Sequence, residues 1–594
     1  MFKNITFIQM VLILLGCSVI SDEEKSQKPN VVLILSDDQG WGDLSFRGNQ
    51  NIRTPNLDSL AINGASFSNF YVSPVCSPTR AELLTGRYHP RTGVYGTSAG
   101  GERMNMDETT IAEIFKQAGY TTAVFGKWHN GMQYPYHPNA RGFDEFYGFA
   151  SGHWGDYFSP ALLEHNGRLV QGEGYLVDDF TERALSFIET HQEEPFFVYI
   201  PYNTPHSPMQ MPDEWWERFD DRDLAMRHRE PDKEDTVFTR AALAMVENID
   251  WNVGRITNKL RELDLEENTI VVYFSDNGPN SWRWNDRMKG RKGSVDEGGV
   301  RSPLFIRWNA TIEPGSEIKQ IAAGIDLLPT LTDLAEIPLK TSNPIDGMSL
   351  KPLLLEYVDS WDERLIYSHW GGRTSVRAQD WRLDDEGRLF NMQEDRGQHH
   401  NVADQHPDLT RSLRDSLAEW EQNVLGELKR NEQDDRPFPV GHPGFRYTQL
   451  PARDGIPHGN IERSNRYPND SFFTNWSNTA DSISWNVEVL EKGYYNVKLY
   501  YTCPEVDLGS KIQLSFGSDS VTAVISEAHD PPLRGMEHDR VERIESYVKD
   551  FKPMDMGVMP LESGQGPLTL KALEVPGSQV MDFRLLKFKR IDHD

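Results

Sequence analysis

The stretch that decides the class of the fold is Val31-Val32-Leu33-Ile34-Leu35-Ser36-Asp37-Asp38. Five apolar residues follow Pro29-Asn30 without a polar interruption, which is typical of a strand buried on both faces of a parallel sheet. Two adjacent carboxylates come directly after it, and they would repel each other unless a positive charge lay nearby. On its own the pair is equally compatible with a solvated acidic turn and with half of a metal site.

Three further strand patterns end in polar side chains in the same way. Thr121–Phe125 leads to Lys127 and His129, Phe196–Ile200 leads to His206, and Ile270–Phe274 leads to Asp276 and Asn277. Lys127 and His129 are two residues apart, so on an extended chain they would point the same way. Because ligands bind beyond the carboxyl ends of parallel strands, we expect all these side chains to meet at one edge of a sheet.

Helical patterns separate these strands, notably Leu176–Thr190 and Thr239–Leu263. The alternation of strand and helix predicts an α/β fold, with a mostly parallel central sheet and helices on both faces. Past residue 437 short alternating strands dominate, and they predict an appended all-β sandwich. The predicted parts are therefore a large α/β subdomain at 29–345, a smaller antiparallel subdomain at 346–436 and a sandwich at 437–594.

A lone thiol precedes a predicted helix in the segment 75–87, which reads Val-Cys-Ser-Pro-Thr-Arg-Ala-Glu-Leu-Leu-Thr-Gly-Arg. If Pro78 lies in the first turn, Cys76 stands at the helix entrance, where unpaired N–H groups favour an anion. Arg80 could then reach back toward it. A single cysteine in such a place is more often a small buried hydrophobe than a catalyst.

The full pattern, Cys76-x-Pro78-x-Arg80 followed by Leu84-Thr85-Gly86-Arg87, resembles the signature of the type I, formylglycine-dependent sulfatases of the alkaline phosphatase superfamily. The resemblance extends over about residues 29–436 and is closest to bacterial polysaccharide sulfatases. It implies that a maturation enzyme oxidises Cys76 to formylglycine (3-oxoalanine), whose hydrate attacks sulfur. It also implies a cation site, with Ca²⁺ expected and Mg²⁺ as the alternative, because oxygen donors suit hard cations. The implied ligands are Asp37, Asp38, Cys76, Asp276 and Asn277.

The resemblance further assigns a role to each remaining strand-end residue and to Lys292, which precedes the segment Glu297-Gly298-Gly299-Val300-Arg301. General acid–base steps of this kind supply roughly 10²–10⁴-fold each. Asp276 would help to deprotonate the attacking hydroxyl, Arg80 and Lys127 would hold the hydrate and sulfate oxygens, His206 would protonate the leaving alcohol, Lys292 would clamp the sulfate, and His129 would take a proton from the second hydroxyl.

Recognition of the leaving group is less accessible from the sequence. Ser151 and His153, together with Trp154 and Asp156, follow Gly142-Phe143-Asp144 and are candidates for that subsite. Trp282 and Trp284 could stack on a sugar, although purely structural aromatic residues are an equal alternative. The sandwich looks like a carbohydrate-binding module, and a structural appendage is the alternative.

The amino terminus predicts export. Lys3 precedes an apolar stretch, Ile5–Leu15, that is too short to span a bilayer comfortably and ends Leu14-Leu15-Gly16-Cys17. It resembles a lipoprotein signal, so we expect a signal peptide at 1–16, a lipidated Cys17, a polar tether at 17–28 and a periplasmic or cell-surface location. An ordinary signal peptide is the alternative. The lipid anchor is the only membrane attachment expected.

Charge and cysteine content narrow the classes of function. The 61 basic and 90 acidic residues give a net charge of -29, which argues against a nucleic-acid partner and requires any anion site to be a local basic pocket. Three cysteines exclude a disulfide framework, and Cys503 is expected to be a buried structural thiol.

The sequence favours a sulfatase acting on a sulfated carbohydrate. A phosphomonoester or phosphonate monoester hydrolase and an inactive carbohydrate-binding homologue are the alternatives.

Overall fold

The computed structural model describes residues 28–355, 361–428 and 435–591 of the 594-residue chain. The predicted signal peptide, the lipidated Cys17 and all of the predicted tether except Lys28 lie outside the described residues. Across the described ranges, no helix combines the length and the apolar character that crossing a bilayer requires.

A ten-stranded sheet forms the centre of the large subdomain and confirms the predicted α/β class. Its five middle strands are mutually parallel, and four of them are the strands predicted from the sequence. From edge to edge the strands are Ser316–Ile318, Ala65–Phe67, Leu304–Arg307, Thr269–Ser275, Asn30–Ser36, Phe196–Pro201, Thr121–Lys127, Glu145–Phe149, Leu163–His165 and Arg168–Val170. A small sheet beside it contains Phe70–Tyr71, Arg301–Ser302 and Ala322–Ala323.

The strand Asn30–Ser36 divides its side chains between two cores, which explains its unbroken apolar run. Val32 and Ile34 enter one core, whereas Val31, Leu33 and Leu35 enter the other. Each core is covered by helices, so the sheet is buried on both faces as parallel sheets require. The first core takes Pro55–Ile62, Leu176–Thr190 and Thr236–Glu262, and the second takes Cys76–Thr85, Ile111–Gln117 and Leu327–Leu334. Shorter helices are Asp213–Trp216, Glu297–Val300 and Lys351–Leu355.

The apolar pattern of Glu108–Ala118 predicts a helix over that range, but the helix in the structure, Ile111–Gln117, is shorter because a capping box fixes its start. The Thr110 side chain accepts a hydrogen bond from the Glu113 backbone, and the Glu113 carboxylate accepts one from the Thr110 backbone. This helix therefore begins at Ile111 instead of Glu108.

The smaller subdomain contains a four-stranded antiparallel sheet and one long helix. Its strands are Ile366–Trp370, Arg373–Arg377, Trp381–Leu383 and Leu389–Asn391. The sequence pattern predicts a short strand around Val376–Leu383. In the structure a turn closed by the Ala378 N–H and the Trp381 carbonyl divides that range between two strands. The sequence pattern predicts a helix from Pro407 to Leu425, and in the structure the helix Pro407–Trp420 continues into a wider turn, Glu421–Leu425, that ends at the same residue.

The carboxyl-terminal part is a sandwich of two six-stranded sheets around one apolar core, as predicted. One sheet contains Phe438–Val440, Ile456–His458, Ser482–Val489, Gly564–Glu574, Lys511–Phe516 and Asp519–Val524. The other contains Tyr447–Pro451, Glu462–Arg463, Phe473–Thr474, Asp582–Ile591, Gly493–Thr502 and Lys552–Leu561. Cys503 is buried in this core without a disulfide, in agreement with a structural thiol.

Buried polar contacts fasten the sandwich to the large subdomain. Arg453 donates to the Glu102 carboxylate over 2.5 Å, and Gln133 donates to Asp454 over 3.1 Å. All four side chains are at least nine-tenths buried, so separating the two parts would expose paired charges and leave hydrogen bonds unmade. The sandwich is thereby held close to the edge of the sheet where the predicted site lies.

Candidate active site

The strand ends meet as the sequence predicted. Asp37 and Asp38 follow Asn30–Ser36, and Asp276 and Asn277 follow the neighbouring parallel strand, Thr269–Ser275. Asp38 has a positive φ of 70°, which turns its backbone N–H onto the Asp276 carboxylate at 3.1 Å. All four side chains are almost completely buried.

Cys76 is the first residue of the helix Cys76–Thr85 and lies directly beside these carboxylates. Val75 before it is extended, Pro78 lies in the first turn, and the helix ends at Gly86 with a φ of 70°. The Cys76 sulfur and one oxygen each of Asp37 and Asp276 lie within 4.8 Å of one another. The expected thiol at a helix entrance therefore lies close enough to two of the expected metal ligands to share one ion with them.

Three cations neutralise the carboxylates. Lys127 Nζ lies 2.7 Å from Asp37 Oδ2, Arg80 Nη2 lies 2.9 Å from Asp276 Oδ2, and Lys292 Nζ lies 2.7 Å from Asp38 Oδ1. Lys127 and Arg80 are wholly buried behind the carboxylates, whereas the Lys292 side chain is 22% exposed and reaches the cavity. Arg80 also lies 3.9 Å from Asp37 Oδ2, so one guanidinium serves both carboxylates.

Burial and neighbouring charges shift the pKa values of Asp276 and Asp37 in opposite directions. Burial raises the pKa of Asp276 to about 7, and the negative charge of Asp37 adds to the increase. Burial opposes ionisation of Asp37 too, but the charges of Lys127, His206 and Arg80 hold its pKa below the usual range. The Cys76 thiol, desolvated by burial, has a raised pKa. An unmodified thiol here would be a poor nucleophile at neutral pH.

The donor set fits a hard divalent cation. Oδ1 of Asp37 and Oδ1 of Asn277 are buried oxygens without a hydrogen-bond partner in the described chain, although Asn277 Nδ2 donates to Asp38 over 2.8 Å. Unpartnered buried oxygens are costly unless something binds them. Carboxylate and amide oxygens suit Ca²⁺ or Mg²⁺. Asp37, Asp38, Asp276 and Asn277, together with the group at position 76, can therefore hold such an ion.

Two predicted histidines stand at the same edge in different settings. His206 Nε2 lies 3.8 Å from Asp38 Oδ2, and its Nδ1 is 2.6 Å from the Ser207 carbonyl. Burial and the charge of Lys292 lower the His206 pKa. His129 has a φ of 64°, so the alternation expected from Lys127 fails there because the chain has already left the strand. Its Nε2 faces the Thr97 carbonyl at 2.9 Å, and its buried Nδ1 has no partner in the described chain.

A cavity of about 670 Å³ opens onto these groups and has walls from all three parts of the chain. Cys76, Asp38, His129, His206 and Lys292 line its catalytic end. Trp370 comes from the small subdomain, and the sandwich contributes Tyr467, Asn469, Val541, Glu542, Arg543, Ile544 and Glu545. The sequence did not predict the sandwich wall, since nothing in those residues marks a contact with residues more than 300 positions away.

Two of the four predicted substrate-binding residues line the cavity. His153 stacks on His206 with ring centroids 6.1 Å apart, and Trp282 carries the cations Lys233 and Arg291 against its ring. The other two are not among the residues that line it. Ser151 contacts Asn469 and Arg453 behind the wall, and Trp284 packs against Gly42.

Trp154 and Asp156 also lie away from the cavity. Trp154 stacks on Phe149 in the core with ring centroids 5.2 Å apart, and Asp156 pairs with Arg534 over 3.4 Å. Adjacency to His153 in sequence is thus insufficient to place a side chain in the site.

Comparisons with known proteins match the same part of the chain. The family model Sulfatase matches residues 29–337, and the model N-sulphoglucosamine sulphohydrolase, C-terminal, matches 282–423. N-acetylgalactosamine-6-sulfatase of Mus musculus is 33% identical over 386 residues, which is 59% of this chain and 71% of that protein. The residues of the sandwich lie outside both matched ranges.

Solved structures agree in fold. The crystal structure of Ps i-CgsB in complex with k-i-k-neocarrahexaose has a TM-score of 0.61 and 29% identity, and covers 69% of this chain and 96% of its own. BT4656 in complex with its substrate D-glucosamine-2-N,6-O-disulfate has a TM-score of 0.56 and 23% identity, and covers 69% of this chain and 100% of its own. At that identity the likeness is one of fold alone.

Proposed function

The chain belongs to the sulfatase family, and from this we propose that it removes sulfate from a sulfated carbohydrate with a formylglycine made from Cys76. The family is hydrolytic, and its formylglycine-type members use a divalent metal. The observation that carries the proposal is the position of Cys76, at a helix entrance and within 4.8 Å of two buried carboxylates.

An aldehyde at position 76, once hydrated, would supply one hydroxyl to attack sulfur and a second whose deprotonation would allow sulfate to leave. Asp276, which has a carboxylate oxygen within 4.8 Å of the side chain at position 76, is placed to accept the first proton, and Arg80 holds its carboxylate in place. Lys292 lies in the cavity wall, where it would bind sulfate oxygens. A bound Ca²⁺ or Mg²⁺ would add charge neutralisation at those oxygens.

Two histidines manage the remaining protons. His206 lies on the cavity wall with its Nε2 toward Asp38, where it can protonate the departing sugar oxygen. His129 has a lowered pKa, caused first by burial and then by Lys127, so it is a neutral base with a free Nδ1. It would take the proton from the second hydroxyl.

A carbohydrate leaving group is supported by the shape of the site and by the relatives. The cavity continues past His206 to Tyr467 and Glu545, which offer an aromatic ring and a carboxylate of the kind that bind sugar faces and hydroxyls. Among the relatives, one is named for N-acetylgalactosamine sulfate and one was solved with a neocarrahexaose. We expect a polysaccharide or its oligosaccharides to be the substrate.

Export and maturation belong to the same proposal. The signal-like segment ending at Cys17 supports a lipid-anchored protein of the periplasm or cell surface, matured by a formylglycine-generating enzyme. A Cys17→Ala variant should move from the membrane fraction to the soluble fraction. A variant that remains in the membrane fraction would contradict the anchor.

The test of the proposed function is sulfate release from a panel of sulfated oligosaccharides, compared with matched phosphate esters. We expect kcat/KM for the best sulfate ester to exceed that for its phosphate counterpart. A preference for phosphate or phosphonate esters would favour the rival hydrolase, and no turnover of any ester with intact binding would favour an inactive homologue.

A further inference from the structure

A second cavity of about 350 Å³ adjoins the one that contains Cys76. The two cavities share Lys233, Trp282, Arg291 and Lys292, so they are continuous around the Trp282 ring. Six residues of the second cavity are Lys or Arg and two are acidic, although the whole chain has a net charge of -29. The six cations, which define the basic groove, are Arg229, Lys233, Lys289, Arg291, Lys292 and Arg373.

Within the described residues, three of these cations form ion pairs with carboxylates and three do not. Lys233 pairs with Glu230, Lys289 with Asp296 and Lys292 with Asp38. By contrast, Arg229, Arg291 and Arg373 form no salt bridge with any carboxylate in the described ranges. Arg229 donates hydrogen bonds to the Gly397 carbonyl and to His399, Arg291 donates to the Asn280 carbonyl, and Arg373 donates to the Gly293 carbonyl. None of these acceptors is a carboxylate. Each guanidinium therefore retains N–H donors for an anion.

The groove is held in shape before any ligand arrives. The Arg291 guanidinium lies 4.9 Å from the Trp282 ring centroid, and Lys233 Nζ lies 5.1 Å from it. Arg373 begins the second strand of a hairpin whose first strand ends at Trp370, a residue of the catalytic cavity. One hairpin therefore contributes residues to both cavities.

We propose that the basic groove binds a further sulfate group of the same carbohydrate chain while the scissile sulfate lies against Lys292. The inference rests on the proposed function, because it takes a sulfated carbohydrate as the occupant of the first cavity. Planar guanidinium groups bind tetrahedral oxyanions through paired hydrogen bonds, and several of them converge here. The substrate class is accordingly a carbohydrate that carries at least two sulfates, with the second sulfate retained by Arg229, Arg291 and Arg373.

The test measures binding of three polymers of equal length to the full-length protein by calorimetry: dextran sulfate, carboxymethyl dextran and dextran. Two variants are compared, R229Q/R373Q and R411Q. Arg411 is an exposed arginine of the helix Pro407–Trp420 that lines neither cavity, so R411Q is the control for a lost surface charge. We expect R229Q/R373Q to bind dextran sulfate about tenfold more weakly or worse, since two guanidinium groups that would bind the sulfate are lost, and R411Q to bind as wild type does.

Several outcomes would overturn the proposal that the basic groove binds sulfate. They are wild-type affinity in R229Q/R373Q, an equal loss of affinity in R411Q, and equal binding of dextran and dextran sulfate. Tighter binding of carboxymethyl dextran would assign the groove to carboxylates and overturn the sulfate assignment. The variant R229K/R373K, which keeps the charges, should recover part of the affinity even if the glutamine variant is less stable. Sulfate release is measured separately, so absent turnover with groove-dependent binding would reject the proposed function alone.

Discussion

Glu545 of the carboxyl-terminal sandwich accepts a hydrogen bond from the hydroxyl of Ser207, the residue next to His206. The second oxygen of Glu545, Oε2, is buried without a partner in the described chain, and the residue lines the catalytic cavity. A carboxylate with a spare acceptor facing a cavity suits a sugar hydroxyl. The sandwich is thus part of the wall of the catalytic cavity.

Removing the charge of this carboxylate should weaken substrate binding. In Glu545→Gln we expect the KM for a sulfated oligosaccharide to rise about tenfold, since a hydrogen bond to a charged group contributes roughly 1.5–3 kcal/mol. Steady-state kinetics measure this effect. Glu537→Gln, an exposed position on the preceding turn, is the matched control. An unchanged KM in Glu545→Gln would remove the sandwich from substrate recognition.

The role of His206 as an acid predicts a dependence on the leaving group. His206→Asn should lower kcat about 10²–10⁴-fold for a sugar sulfate, the range of general acid catalysis. The loss should be much smaller for 4-nitrophenyl sulfate, because nitrophenolate leaves without a proton. Rates on both esters decide the matter, and equal losses would mean that His206 only supports the structure.

Removal of divalent cations should abolish activity and lower stability. A bound ion stabilises the folded protein by mass action, so adding Ca²⁺ or Mg²⁺ to chelator-treated protein should raise Tm. Asp37→Asn, which weakens the ligand set, should show a smaller rise. Differential scanning calorimetry measures both. An equal rise in wild type and variant would place the ion elsewhere.

Glu82 gives the stability a pH dependence that can be isolated. Burial raises the Glu82 pKa from 4.5 to about 8, with Ser73 and the His89 N–H as its hydrogen-bond donors. The folded protein therefore binds a proton that the unfolded chain releases between these values. The contribution of Glu82 to the free energy of unfolding is therefore fully present below pH 4.5. It declines as the pH rises through about 8, by up to about 1.4 kcal/mol per pH unit.

Glu82→Gln should lack this decline, because the amide oxygen can accept the same hydrogen bonds without ionising. The free energy of unfolding of the variant minus that of wild type should increase from pH 5 to pH 8. Denaturant titrations at several pH values measure the difference, in which unrelated titrations cancel. A constant difference would contradict the raised pKa.

Much of the site was predictable because a parallel sheet orders its own strand ends. Asp37, Lys127, His206 and Asp276 each follow a recognisable apolar run, and the topology brings those ends to one edge. The conformation of His129 was not predictable from alternation, since its φ of 64° depends on how the chain leaves the strand.

The far wall of the cavity was out of reach of sequence reasoning for a different reason. Tyr467 and Glu545 enter the cavity only because buried contacts such as Arg453–Glu102 dock the sandwich in one orientation. Trp284 is the same residue type as Trp282 and lies close to it in the sequence, yet it packs over Gly42. A Cβ at position 42 would have no room beside Trp284. Local patterns contain no record of such long-range packing.

The central claim is that the working nucleophile is made from Cys76, and peptide mass spectrometry tests it most directly. The tryptic peptide that ends at Arg80 is examined in active protein expressed with a formylglycine-generating enzyme. The account predicts a peptide about 18 Da lighter than its cysteine form, as conversion of the thiol to an aldehyde requires. An unmodified Cys76 in protein that releases sulfate at full rate would contradict it.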